Sequence, residues 1–96
     1  IGGVVILEMN VINYSLTQIS QIVESNDVKI LSCFTDRKHG TNLMDVILKL
    51  DKEDLSPVIQ SFMRYDYKVK AVYLDQSELK DLYKDRFDQF MKFMNI

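Results

Sequence analysis

Residues 8–20 read EMNVINYSLTQIS, and the way this stretch divides decides the fold. Its first part completes Val4–Asn10, VVILEMN, a β-branched and apolar segment that follows two glycines and predicts a nearly buried strand. Its second part opens a series, Leu16, Ile19, Ile22 and Val23, at helical spacing. Ser15 stands at the helix start with Gln18 three residues on, the pattern of a capping box. A strand therefore gives way to a helix across Asn13, Tyr14 and Ser15, a junction with polar groups but no proline, glycine or charge. Ser25-Asn26-Asp27, all turn-favouring residues, close the helix.

The pattern then repeats with a hairpin inserted. Val28–Thr35, VKILSCFT, predicts a second strand, and the polar run around Gly40 predicts a turn into a third. In that third strand, Leu43–Leu50, the side chains of Met44, Val46, Leu48 and Leu50 share one face, and Leu43, Asp45, Ile47 and Lys49 share the other. Residues 54–64 predict a second helix with Leu55, Val58, Ile59, Phe62 and Met63 on one stripe; Pro57 is tolerated because it falls in the first turn. Tyr67–Leu74 predicts a fourth strand whose Lys68 and Lys70 share a face and meet solvent or an edge. Residues 76–94 carry a third helical pattern with Leu, Phe and Met on a broad apolar face.

The order is β-α-β-β-α-β with a further helix. This is the split βαβ arrangement of an α+β, ferredoxin-like domain. It places four strands in one antiparallel sheet with both crossing helices on one face, in the order 4-1-3-2. Residues 1–75 form that domain, and residues 76–96 form an amphipathic helix packed on it or on a partner subunit.

Composition excludes several functions. The 96 residues carry 12 basic and 14 acidic side chains, a net charge of −2, so no basic field exists to hold a phosphate backbone. One cysteine and one histidine make neither an internal disulfide nor a zinc site. The longest apolar run, Val4–Leu7, is too short to span a bilayer. The chain opens Ile-Gly-Gly rather than with Met, which reads as part of a longer protein. Other proteins of this fold need an arginine or a Cys-x-x-Cys in the first loop, or aromatics on the first and third strands beside a basic surface; these groups are absent.

The segment VILEMNVINYSLTQISQIVESNDVKILSCFT, residues 5–35 preceded by Val4, resembles an ACT domain, the small regulatory module that often senses amino acids. The likeness lies in the apolar strand, the short loop, the Leu-x-x-Ile-x-x-Ile helix and the entry NDVKILS to the second strand, and the spacing stays compatible through Tyr73. More narrowly, the chain is similar to the C-terminal ACT-like part of bacterial proteins with a pair of CBS domains, of the acetoin-utilisation type, in which a Gly-Gly-apolar entry follows the CBS pair as Gly2-Gly3-Val4 would here. The resemblance implies a non-catalytic, cytoplasmic regulatory domain that forms a homodimer, with upstream CBS domains and an amino acid or other small-molecule effector. It implies no cofactor, metal, nucleic acid or membrane. Amino-acid-binding members carry Pro-Gly before the helix; here Asn13-Tyr14 occupies those places, and a tyrosine side chain could fill the space a ligand would use.

The candidate ligand-binding residues are accordingly Asn13, Tyr14 and Ser15, at a helix N-terminus with free backbone N–H groups. The competing reading is an Asn turn and a Ser cap, with Tyr14 packing at an interface, in a purely structural dimerisation module. Cys33, in mid-strand, reads as a half-buried small residue, and His39 as a solvated turn residue. Asp45 is expected to pair with Lys49 along its strand or with Lys70 across the sheet, as charge patterning on the solvent side. With Val4, Ile6, Leu43 and Ile47 it would give a mixed surface suited to a sister chain.

Overall fold

The computed structural model describes residues 2–74 of the chain. The expected terminal helix over residues 76–94 lies outside the described residues. Strand β1, Gly3–Asn10, runs through a 3-10 turn, Val11–Asn13, into helix α1, Leu16–Glu24. Strands β2, Ile30–Arg37, and β3, Leu43–Leu50, form the hairpin; helix α2, Ser56–Arg64, leads to strand β4, Lys68–Tyr73. The sheet is antiparallel throughout in the order β2-β3-β1-β4, the expected α+β, ferredoxin-like arrangement.

β1 and β3 pair in unbroken register from Gly3 opposite Leu50 to Asn10 opposite Leu43. Alternation along both strands sends Val5, Leu7, Val46, Leu48 and Leu50 to one side, where they bury with Ile19, Ile22 and Val23 of α1 and Val58 and Phe62 of α2. Val4, Ile6 and Ile47 fall on the opposite side and form a second buried cluster, with Phe34, Ala71 and Tyr73 packed against it. The sheet is thus buried on both faces within one chain, where the sequence predicted an outward mixed surface on the second face.

Three local readings are corrected. β2 begins at Ile30 rather than Val28: Val28 is buried in the main core, and Lys29 is clipped to Asp51 by two hydrogen bonds, Lys29 N–H to the Asp51 carboxylate at 2.8 Å and Asp51 N–H to the Lys29 carbonyl at 3.1 Å. α2 begins at Ser56 rather than residue 54, the Asp54 carboxylate accepting from Ser56 N–H at 3.3 Å. The apolar stripes of both helices are narrower than expected. Met63 and Leu16 are exposed, while Ser61 takes the inward place and accepts from Asn26 Nδ2 at 3.1 Å. A small hydroxyl there lets α1 and α2 approach and gives the Asn26 amide a partner, which a longer side chain would deny it.

The end of α2 aims β4. Asp66, at φ 65°, turns the chain in the left-handed conformation; its N–H bonds the Met63 carbonyl and the Tyr67 N–H bonds that of Phe62, the paired bonds of a Schellman close. Tyr67 then meets Phe62 edge to face, with ring centroids 5.3 Å apart. Phe62, on the inner side of α2, is fully buried in the main core, so Phe62→Ala is expected to cost about 3–5 kcal/mol of unfolding free energy. Urea denaturation followed by circular dichroism measures it, and a loss below about 1 kcal/mol would contradict this packing.

Candidate functional site

Two polar features meet at Glu8. The first is a row of charges on the second sheet face. Register sets Glu8 of β1 opposite Asp45 of β3, and Asp45 opposite Asp36 of β2, so three carboxylates lie abreast on adjacent strands. Like charges directly opposite repel, and lysines answer them. Lys70 Nζ lies 2.9 Å from the Asp45 carboxylate and 4.0 Å from that of Glu8; Lys38 Nζ lies 3.4 Å from Asp45; Lys68 Nζ lies 2.9 Å from Glu8.

A β-bulge puts Lys70 there. Ile6 pairs with Ala71 and Leu7 with Val69, leaving Lys70 without a partner residue on β1. The extra residue lets Lys70 and Ala71 both turn to the second face, the one to Asp45 and the other to the apolar cluster. Asp45 is therefore correctly expected to pair with Lys70, but it is not on a solvent side: its side chain is 1% exposed.

The charges shift one another. The hydrogen bond from Lys68 holds the Glu8 carboxyl below its usual range, against a smaller opposing effect of burial. Burial works against the Lys70 ammonium, but the network it shares with Lys38 and Asp45, with the field of Glu8, raises it above its ordinary value.

The second feature is a cleft of about 380 Å³ at the far end of β1, lined by Glu8, Asn10, Asn13, Gln18, Tyr67 and Lys68 with the Tyr65–Asp66 turn. Asn10 Oδ1 accepts from Ile12 N–H at 3.2 Å, which tightens the 3-10 turn and holds Asn13 at the cleft wall. Gln18 N–H donates to the Ser15 hydroxyl oxygen at 3.2 Å, so Ser15 caps α1. The Gln18 side chain serves another purpose than completing a capping box: its Oε1 accepts from the Tyr67 hydroxyl at 3.0 Å and ties α1 to the start of β4.

The three expected site residues are consequently parted. Asn13 lines the cleft and Ser15 caps the helix. Tyr14 turns the other way and packs against the main core, close to Cys33. Burial raises the pKa of Tyr14, and Cys33 adds to the rise; burial likewise raises that of Cys33 itself, only partly offset by Tyr14. A thiol so placed stays protonated and is a weak nucleophile. His39, the one histidine, is exposed in the hairpin turn. Gln18, Tyr67, Glu8 and Lys68 were not singled out as site residues from the sequence, because their meeting depends on how α1 and β4 converge on the end of β1.

No family model, curated protein or solved structure matches this chain. Among the described residues, no helix is long and apolar enough to cross a membrane, and no group of histidine, cysteine and acidic side chains could hold a metal ion.

Two outcomes follow for the charge row. Lys70→Met takes a cation from a buried carboxylate and is expected to cost about 3 kcal/mol, whereas Lys68→Met, whose side chain is 69% exposed, is expected to cost under about 1 kcal/mol. Equal costs in urea denaturation would show that burial of Asp45 does not set the balance. The second outcome is pH dependence. Glu8 has a lowered folded value, so its contribution is fully present above its ordinary 4.5 and is lost as pH falls through the lowered value. Lys70 has a raised folded value, so its contribution is fully present below its ordinary 10.5 and is lost as pH climbs past the raised one. Glu8→Gln is expected to flatten the acid limb of a stability–pH profile and leave the neutral plateau nearly level.

Proposed function

We propose that this chain is a non-catalytic regulatory domain of the ACT type, which binds a small molecule in the cleft beside Asn13 and pairs with a second copy of itself. The proposal extends to its setting: the C-terminal part of a cytoplasmic protein with paired CBS domains. The resemblance over residues 4–35 and the βαββαβ order support the domain type. The cleft is the observation that carries the binding reading. Its volume of about 380 Å³ lies at the small end of ligand pockets, which run about 300–1,000 Å³. Its wall offers a carboxylate at Glu8, an ammonium at Lys68 and side-chain amides at Asn13 and Gln18. A free amino acid presents the complementary charges, an ammonium and a carboxylate, and needs groups of both signs close together.

Tyr14 favours a second reading. It occupies the place where amino-acid-binding members of the family have glycine, and its ring packs into the chain's own core. A dimerisation module without ligand has no need of an open corner there.

Thermal unfolding with a panel of the amino acids separates the two. The sensor reading expects one member to raise stability, by about 2.7 kcal/mol at 100 times its dissociation constant. Asn13→Ala and Gln18→Ala are expected to abolish that gain. Silence across the panel removes the amino-acid reading and leaves the structural one.

A further inference from the structure

Among the described residues, three charged side chains line the cleft at the end of β1: Glu8, Asp66 and Lys68. Two carboxylates against one ammonium leave the cleft with negative charge in excess. The three differ in how firmly they are held. Glu8 is fixed: its side chain is 17% exposed, and Lys68 and Lys70 approach its two oxygens at 2.9 Å and 4.0 Å. Lys68 is the loose member, 69% exposed and paired, among the described residues, with Glu8 alone. Asp66 is exposed in the turn that closes α2, and among the described residues its carboxylate meets neither a cation nor a hydrogen-bond donor. Its φ of 65° suits glycine or asparagine as readily, so the backbone does not account for the charge.

The amides that line the cleft beside them are donors. Asn10 Oδ1 is taken by Ile12 N–H at 3.2 Å, and Gln18 Oε1 is taken by the Tyr67 hydroxyl at 3.0 Å. Each amide therefore keeps its NH2 to donate. Such groups receive a carboxylate and not an ammonium. Cationic groups on a ligand have Glu8 and Asp66 to meet, and the Tyr65 ring, on a side chain that also lines the cleft and is 59% exposed, offers an aromatic surface to an alkylammonium chain.

We infer that the cleft takes, within a single chain, a small flexible molecule with two cationic groups, a basic amino acid or a diamine, one ammonium replacing that of Lys68 at Glu8 and the other meeting Asp66. This rests on the ligand-binding reading above and names the class of ligand. Exchange of one ammonium for another keeps Glu8 paired throughout, so its partial burial opposes neither state. An acidic ligand fits worse: it would bring further carboxylates to Glu8 and Asp66 with only the engaged Lys68 to answer them. A neutral amino acid leaves Asp66 unanswered. The displaced Lys68 and the amide donors are then free to take the carboxylate of an amino acid, a group that a diamine lacks, so the two sources differ in what Lys68 contributes.

Isothermal titration of the full chain with lysine, cadaverine, norleucine and glutamate tests this. Lysine is expected to bind at least about tenfold more tightly than norleucine, which lacks only the side-chain ammonium, and glutamate to bind more weakly still. Affinity is expected to be the same at every protein concentration, because one chain supplies all the contacts. Asp66→Asn keeps a residue that tolerates the left-handed turn and is expected to erase the preference for lysine over norleucine while the circular dichroism spectrum stays unchanged. Lys68→Met frees Glu8 and is expected to tighten cadaverine and to weaken lysine relative to it. Norleucine or glutamate binding as tightly as lysine overturns the dicationic class and leaves the amino-acid reading standing. Cadaverine binding without any amino acid upholds the class and removes the amino-acid reading. Binding that ignores both Asp66→Asn and Lys68→Met lies elsewhere and overturns the site, and affinity that falls on dilution of the protein overturns its single-chain character. Silence from both lysine and cadaverine overturns the inference, whereas a different amino acid that stabilises the chain in the thermal panel keeps the sensor reading.

Discussion

The ladder between β1 and β3 is the constraint from which the rest follows. It holds two central strands in one register over their whole length, and each contributes apolar side chains to both faces. A one-residue slip would carry Val5, Leu7, Val46 and Leu48 away from the helices and bring Glu8 and Asp45 under them. Burial on the helix side therefore forbids other registers. α1 and α2 then lie where their apolar stripes can cover that side, and β2 and β4 take the two outer places.

The same register creates the chief electrostatic problem of the domain. It places Glu8, Asp45 and Asp36 side by side, with Asp45 sealed from water. A buried carboxylate is tolerated only with cations and hydrogen bonds close by. Lys38 comes from the far end of the hairpin and Lys70 from a bulged edge strand, so both outer strands are tied to the central pair through one side chain. The bulge at Lys70 thus has two effects. It delivers an ammonium to Asp45 and it distorts the β4 edge.

Glu8 links this row to the cleft. It lines the cleft wall with Lys68 and stands within 4.0 Å of Lys70, which in turn holds Asp45. A charged molecule that draws Lys68 from Glu8 would change the field at Lys70 as well, so the cleft and the second sheet face share charges at one residue. Coupling of that kind is a free energy between sites and requires two arrangements with different affinities.

The sequence by itself determined the order of elements, the antiparallel sheet with its strand order, the division of β3 into two faces and the capping role of Ser15. Periodicity and turn chemistry are local signals, and each of these features is decided by residues close together in the chain. Only the tertiary structure decided that Asp45 is buried, that Lys70 sits in a bulge, that Ser61 rather than Met63 faces inward, and that Tyr14 leaves the corner it shares with Asn13. An aspartate between apolar residues on a strand reads as solvent-facing whether or not anything lies over that face, because alternation records which side a residue takes and not what covers it. The cleft was hidden for a related reason: Glu8, Gln18 and Lys68 are far apart in sequence, and only the convergence of β1, α1 and β4 brings them together.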